Sequence, residues 1–193
     1  MGSIATTKGD AGQTGLAGGI RVSKASVRVD AYGGVDELNA AIGFARSICE
    51  DKEMHDFAKS VQLDLARVGS SLATPPASAK PQVLIAAEMV ERLTTEVHRL
   101  EAIEGMLSDW AVAGDHQTAA AFNVARTMCR RAERGVVRLI ESGDAVQPGI
   151  LAYLSRLSDL LWLFARKLEH DAGINSSLRD QTGVKGNRWS RAW

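Results

Sequence analysis

The segment "RTMCRRAER", which begins at residue 126, concentrates arginine in a stretch whose apolar spacing is helical. Residues three and four positions apart share a helix face, so Arg126, Arg130, Glu133 and Arg134 form one stripe. Like charges stacked in this way repel one another and cost stability unless an anion lies against them. The stripe therefore raises the hypothesis of a polyanionic ligand. The alternative is a solvated helix face with Glu133 as a partial counter-charge.

A second candidate ligand site is the glycine-rich segment "TTKGDAGQTGLAGG", which begins at Thr6. Its glycines follow the spacing GxxGxxG, with hydroxyl groups and Lys8 between them, which suits amide and hydroxyl donors to phosphate oxygens. Lys24, just before the first predicted helix, would add a mobile cation. The pattern matches neither the P-loop nor the dinucleotide-binding fingerprint, so a flexible leader is the alternative interpretation.

Composition restricts the classes of function. The chain has 193 residues, 45% hydrophobic and 24% charged, which suits one soluble domain. Lys plus Arg equals Asp plus Glu at 23 each, so no overall basic field favours nucleic acid. No apolar run approaches a membrane span, and the amino terminus lacks the apolar core of a signal peptide. We expect a cytoplasmic protein with neither nucleic-acid nor membrane partners.

Cysteine and histidine predict no chemistry of their own. Cys49 and Cys129 form no CxxC pair, and both lie in helical patterns where a buried thiol is the usual case. No histidine follows a glutamate at the Glu-x-x-His spacing of carboxylate-bridged di-iron bundles, and no motif frames a Ser-His-Asp set. We therefore predict no protein metal site and place the histidines at the surface or at helix ends.

Apolar residues repeat at helical spacing in five segments, which predicts an all-α fold, an up-and-down bundle of five helices. The fourth helix follows "AGD", with Asp115 as the expected amino-terminal cap. The predicted helices cover about 27–49, 54–72, 86–100 and 150–168, and the fourth of the five starts after residue 115 and carries the arginines. The predicted organisation is a glycine-rich nucleotide-binding segment 1–26, a single-domain bundle 27–171 and a tail 172–193 without helical periodicity.

Four blocks in register resemble one family: "TTKGDAGQTGLAGGIRVSK", "RVDAYGGVDELNAAIGFARS", "ARTMCRRAERGVV" and "YLSRLSDLLWLFAR". Together they are similar to the PduO-type ATP:cob(I)alamin adenosyltransferases over most of residues 4 to 168. The resemblance implies a five-helix bundle assembled as a homotrimer, with ATP and a corrinoid bound where subunits meet. It also implies transfer of the 5′-deoxyadenosyl group of ATP to cobalt, giving adenosylcobalamin and triphosphate.

The resemblance assigns residues to the nucleotide. A divalent cation, normally Mg²⁺, would bridge phosphates. Ser155 replaces an asparagine that the family uses toward the nucleotide. The implied ATP-site residues are Thr6, Thr7, Lys8, Gly9, Thr14, Gly15, Lys24, Arg130, Arg131, Glu133 and Arg134.

The resemblance implies three catalytic residues, Arg126, Asp36 and Trp110. In the family the arginine at position 126 pairs with the aspartate of the "DEL" block, here Asp36, across a subunit contact. A plain inter-helix salt bridge is the structural alternative, and both interpretations can hold together. Trp110 matches an aromatic position that displaces the lower axial ligand of cobalt, whereas by itself it would be interpreted as a packed loop aromatic.

The sequence departs from the family pattern at four places around the implied ligands. "TTKGD" stands for TKTGD, "AGD" at 113–115 for PGG, Asn123 for a histidine and Ser155 for an asparagine. These changes put catalytic efficiency and ligand preference in question. Ser155 and "AGD" favour a competing hypothesis, a non-catalytic corrinoid or nucleotide-binding protein of the same fold, whereas the retention of Asp36, Arg126, Arg130 and Lys24 favours the enzyme. The enzyme hypothesis adds two expected protein partners, a reductase and an adenosylcobalamin-dependent enzyme.

Overall fold

The computed structural model describes residues 5–107 and 109–178. Five helices make up most of this part of the chain, as the apolar spacing predicted, and a short hairpin precedes them. The strands are β1 (Gln13–Gly15) and β2 (Arg21–Ser23), and the helices are α1 (Val27–Ser47), α2 (Lys52–Leu72), α3 (Ala87–Glu101), α4 (Gln117–Glu141) and α5 (Gly149–Asp171).

Three of the five helices, α1, α2 and α4, begin at a capping side chain. The Ser26 hydroxyl accepts from the backbone N–H of Val29, and the Asp51 carboxylate accepts from Met54 N at 2.9 Å. The predicted cap of α4 is wrong, because α4 begins one residue later than Asp115 would require. The N-cap is His116, whose Nδ1 accepts from Ala119 N at 3.2 Å. Asp115 is left exposed in the preceding loop.

One hydrophobic core joins all five helices. Helix α1 packs between α2 and α4, and α5 packs between α4 and α3. Small residues bring α1 and α4 together, since a Cβ atom added to Gly34 would lie 3.4 Å from Cα of Ala132. This close approach places the carboxylates of α1 beside the arginines of α4. None of the helices in the described ranges is long and apolar enough to cross a membrane.

The glycine-rich segment forms an antiparallel hairpin, which the sequence analysis did not predict. Thr14 of β1 is paired with Val22 of β2. Leu16 is buried, and Ala17 N donates to Ala73 O at the end of α2 at 3.0 Å. One backbone bond and one buried apolar side chain therefore hold this segment to one end of the bundle, and a second bond, from Leu16 N to Ile20 O, closes the hairpin itself.

Candidate functional site

Most of the arginine stripe lies on the half-buried side of α4, and Arg134 at its end is exposed. Arg126 and Arg130 are both partly buried, and the pKa of Arg126 is lowered, first by burial and then by the like charge of Arg130. Arg126 Nε donates to Asn123 Oδ1 at 3.3 Å, which orients the guanidinium without neutralising it. Two cations held side by side in a partly desolvated place form a favourable environment for an anion.

The arginines next to the stripe are neutralised within the chain. Arg131 pairs with Glu37 of α1, and Arg138 Nη2 lies 2.8 Å from Asp30 Oδ2. Both pairs are exposed, so each contributes little to stability, but each ties α4 to α1. The predicted site residue Arg131 is thus a helix-pairing residue in this structure.

Two carboxylates lie near the arginines of the stripe, Glu133 within it and Asp159 on α5, and the pKa of each is raised above its ordinary value. Burial raises the pKa of Glu133, and burial also raises the pKa of Asp159 on α5, while Arg130 opposes both shifts. Sequence reasoning assigned no role to Asp159, although the quoted block "YLSRLSD" contains it. Its signal was the four-residue spacing from Ser155, which places both side chains on one exposed face of α5.

The hairpin brings several implied phosphate ligands together. The Lys24 ammonium packs against Gly9, where an added Cβ would lie 3.1 Å from Nζ. A turn follows Thr7, whose φ of 56° is left-handed, and Asp10 N donates to Thr7 O at 3.1 Å. Lys24 N in turn donates to Gly12 O at 2.9 Å. Gly9 therefore permits the lysine to lie over the turn that carries Thr6, Thr7 and Lys8.

Other predicted partners are not brought together in one chain. Among the ion pairs of the described residues, none joins Asp36 to Arg126. Arg138 lies level with the amino end of α1 through its pair with Asp30. Arg130 is two helical turns before Arg138, roughly 12 Å away along the axis. The hairpin leaves from the amino end of α1, so within one subunit it lies at a different level from the stripe.

Trp110 lies in the connection between α3 and α4 and is half-buried. Its ring meets that of Trp162 on α5 edge to face, with centroids 5.8 Å apart and an interplanar angle of 68°. Asp109 Oδ1 accepts from Trp110 N at 2.8 Å. The packed-aromatic interpretation of Trp110 thus holds in this structure, and part of the indole is still accessible to a ligand.

These features define a helical bundle with a cationic helix face, a glycine-rich hairpin and an aromatic loop. Residues 4–168 match the family model described as cobalamin adenosyltransferase. A cobalamin adenosyltransferase of Cupriavidus metallidurans is 36% identical over 174 residues, covering 90% of this chain and 91% of that protein. A corrinoid adenosyltransferase of Bacillus subtilis is 35% identical over 183 residues, covering 93% of each chain.

The PduO corrinoid adenosyltransferase of Citrobacter freundii is 34% identical over 92% of this chain, which spans 53% of that longer relative. Among solved structures, a variant PduO-type ATP:corrinoid adenosyltransferase of Lactobacillus reuteri complexed with cobalamin and ATP superposes with a TM-score of 0.86. It is 29% identical and covers 91% of this chain and 98% of its own. The chain belongs to the cobalamin adenosyltransferase family.

Proposed function

We propose that this chain transfers the 5′-deoxyadenosyl group of ATP to the cobalt of cob(I)alamin, giving adenosylcobalamin and triphosphate. The observation that carries the proposal is the match of residues 4–168 to the cobalamin adenosyltransferase family model, and Arg126 and Arg130 lie side by side on a half-buried helix face where a triphosphate would bind. A solved structure of this family is complexed with cobalamin and ATP, and the triphosphate of ATP is a polyanion that would suit these two positive charges.

In this reaction the cobalt(I) electron pair forms a bond to the ribose 5′-carbon. The C5′–O bond breaks, and its electron pair leaves with the triphosphate oxygen. The protein must hold the carbon in line and stabilise the charge that develops on the leaving group. Arg130 and Arg134 are suited to the second task, because a helix presents them at fixed spacing. Lys24 and the hydroxyl and amide groups of the hairpin would hold the phosphates.

Mg²⁺ is part of the proposal as a companion of ATP. The described residues contain no group of three or more His, Cys, Asp or Glu side chains that could hold a metal ion. In the proposed complex, phosphate oxygens and water would be its main ligands, since Mg²⁺ bound with a nucleotide usually keeps several waters and needs only one or two carboxylates. Its chemistry would be to neutralise phosphate charge, whereas the arginines of this chain would orient the triphosphate.

The active assembly is proposed to be a homotrimer with a composite pocket. Two observations support this: the hairpin and the stripe lie at different levels of one subunit, and Asp36 is exposed and unpaired with Arg126. A neighbouring subunit would bring its own hairpin to the stripe and its own Asp36 to Arg126. Sedimentation should give a trimer at micromolar concentration. A monomer that still binds ATP would contradict the composite pocket.

Trp110 is proposed to form the apolar wall beneath the corrin. A flat apolar group there would exclude water and the lower axial base, leaving four-coordinate cobalt that is easier to reduce. We place the reaction in the cytoplasm, with a reductase as electron source and an adenosylcobalamin-dependent enzyme as recipient.

The test is anaerobic incubation with ATP, Mg²⁺ and chemically reduced cobalamin, followed by the absorption spectrum of cobalt. The adenosyltransferase should convert the cob(I)alamin spectrum into that of adenosylcobalamin, with one triphosphate released per corrinoid. The competing hypothesis is a non-catalytic corrinoid or nucleotide-binding protein, favoured by the substitution at Ser155 and the exposed charge of Asp115. Tight binding of both ligands without a cobalt–carbon product would establish that alternative.

A further inference from the structure

The chain after α5 turns back onto the bundle. Gly173 has a φ of +66°, its N–H donates to His170 O at 3.0 Å, and Ile174 N donates to Glu169 O at 2.9 Å. These two bonds are a Schellman motif, in which a left-handed residue, usually glycine, reverses the chain. Residues 174–178, which we call the strap, therefore run back along the end of α5 instead of continuing away from it.

Three buried side chains fasten the strap to α5. Ser176 and Glu169 are fully buried, and Arg166 is 9% exposed. Glu169 Oε2 accepts from Arg166 Nη1 at 2.6 Å and from Ser176 Oγ at 2.8 Å, and Arg166 Nη1 also contacts Ser176 Oγ. The strap thus contributes the hydroxyl that completes a buried ion pair.

This buried ion pair contributes little net stability to the attachment of the strap. Desolvating an ion pair offsets much of its attraction, and apolar residues of similar volume often give equal stability. Within the described residues, Arg166 Nε and Glu169 Oε1 have no hydrogen-bond partner. What the cluster adds over an apolar contact is direction, because a hydrogen-bonded hydroxyl fixes the position of Ser176 along α5.

The strap in turn holds the backbone on both sides of Trp110. Leu178 N donates to Trp110 O at 2.8 Å, and Val112 N donates to Ser176 O at 2.8 Å. Ser177 Oγ adds a bond of 2.6 Å to Asp109 Oδ2. The residue facing Ser177 in this antiparallel bridge is Ala111.

The same face of α5 supports the Trp110 side chain. Trp162, whose ring packs against Trp110, is four residues before Arg166 and seven before Glu169. On a helix these three positions share one face. One face of α5 therefore positions Trp110 in two ways. Trp162 contacts the indole ring directly, and Arg166 and Glu169 hold the strap that binds the loop backbone.

We propose that Arg166, Glu169 and Ser176 are positioning residues for the corrinoid half of the reaction, acting by holding the strap against the Trp110 loop. This inference rests on the proposed function, in which Trp110 covers the lower face of the corrin. The described residues of the loop form no helix or strand that would hold Trp110 in place. Without the buried cluster the indole would occupy its productive position for a smaller fraction of the time, and reduction from cob(II)alamin would slow by that fraction.

The test uses Ser176→Ala, which removes the hydroxyl and keeps the packing. Hydrogen exchange at the Val112 amide should become about tenfold faster, because a buried hydrogen bond that holds its acceptor is lost. Activity from cob(II)alamin should fall several-fold, with a smaller fall when cob(I)alamin is supplied ready-made. The affinity for ATP should not change. A purely structural role would instead lower both activities and ATP affinity together.

Two further variants keep the result interpretable. Ser71→Ala removes another buried serine, on α2, and should match wild type in exchange and in both activities. Ser177→Ala removes the partly exposed bond to Asp109 and should act in the same direction as Ser176→Ala, more weakly. If Ser176→Ala does not fold, Ser177→Ala alone must show slower turnover from cob(II)alamin. A Ser177→Ala variant with wild-type turnover then overturns the proposal.

The two levels of inference fail separately. An active wild type whose strap variants keep full activity from cob(II)alamin overturns the positioning role alone. Unchanged exchange at the Val112 amide overturns the fastening of the loop by the strap. A wild type that makes no adenosylcobalamin overturns the proposed function, whatever the exchange rates of the variants.

Discussion

The α4 stripe and the Trp110 loop are positioned in different ways. The stripe residues occupy successive turns of one helix, so their spacing is set by local hydrogen bonds and by the packing of α4 against α1 and α5. Trp110 lies in a connection, and its position depends on Trp162, on Asp109 and on a strap that is more than 60 residues later in the chain.

This difference follows from what each region has to do. Electrostatic stabilisation of a triphosphate falls off gradually with distance, so a repeating helix places cations accurately enough. An apolar wall against cobalt acts only at contact, since a small gap admits water or a base. The loop therefore needs tertiary contacts that the stripe does not. Variants of the two regions test this contrast.

Replacing Arg130 by alanine should cause the greatest loss. We expect kcat/KM for ATP to fall by about 10²- to 10³-fold, because in the proposed site the charge would contact the triphosphate in both the ground and the transition state. The dissociation constant for ATP should rise as well. Steady-state kinetics and calorimetric titration measure the two effects.

The matched control is Arg138→Ala, eight residues later on the same helix, where the side chain pairs with Asp30. Its kinetics should stay within about twofold of wild type, as expected for an exposed ion pair. Equal losses in the two variants would show that general positive charge on α4, and not a site at the stripe, determines activity.

Arg126→Ala should lower turnover and weaken assembly of the subunits.

Replacing Trp110 by alanine should separate the two regions. We expect activity from cob(II)alamin to fall about 10- to 100-fold, with a smaller loss from cob(I)alamin and normal ATP binding. The physical reason is that alanine leaves room for an axial ligand. Electron paramagnetic resonance of cob(II)alamin with protein and ATP should show a four-coordinate species in wild type that the variant lacks.

The conservative variant Trp110→Phe keeps a flat apolar ring and should retain most of the four-coordinate signal. Identical spectra for wild type and Trp110→Ala would remove Trp110 from the mechanism and leave it as a packed loop aromatic.

Glu133, the carboxylate of the stripe, should make the stability of the folded protein depend on pH. Burial raises the pKa of Glu133 above its ordinary value of 4.5, so the folded protein disfavours the charged carboxylate. The favourable contribution of Glu133 to the free energy of unfolding is fully present below about pH 4.5, where the carboxyl is protonated. It is lost as the pH rises through the folded-state pKa. Glu133→Gln should therefore raise the melting temperature by about 2 °C at pH 7.5 and leave it unchanged at pH 4.

The control is Glu37→Gln, which removes an exposed carboxylate that is paired with Arg131. It should not stabilise the protein at pH 7.5. A Glu133→Gln variant that is less stable than wild type at neutral pH would show that the neighbouring arginines, and not burial, dominate at this position.

The smallest expected effect belongs to the loop before α4. Asp115 is exposed and does not cap the helix, so its charge would lie near the ligands if the loop before α4 borders them as proposed. Asp115→Asn should increase the affinity for ATP or the corrinoid by no more than about threefold, and less at high salt. Affinity that is unchanged at both low and high ionic strength would place Asp115 away from the bound ligands.

Much of the molecule could be predicted without coordinates. The five helices follow from apolar residues at helical spacing, and the observed bounds of α1, α2, α3 and α5 lie within a few residues of those predicted. The stripe could be identified because the contacts on one helix face depend only on spacing within a short segment. The cap at His116 was missed, because aspartate is the commoner cap and a neutral imidazole nitrogen accepts the same bond.

What spacing cannot supply is the relation between segments far apart in the chain. Only the folded structure shows that the glycine-rich segment is a hairpin seated on the end of α2, and that Arg131 is neutralised by Glu37. It alone brings Ser176 to Glu169 and the strap to Trp110. The physical reason is that helix faces arise from bonds between residues three and four apart. The charge state of a buried carboxylate and the place of a loop aromatic depend on groups that only the packed core brings into contact.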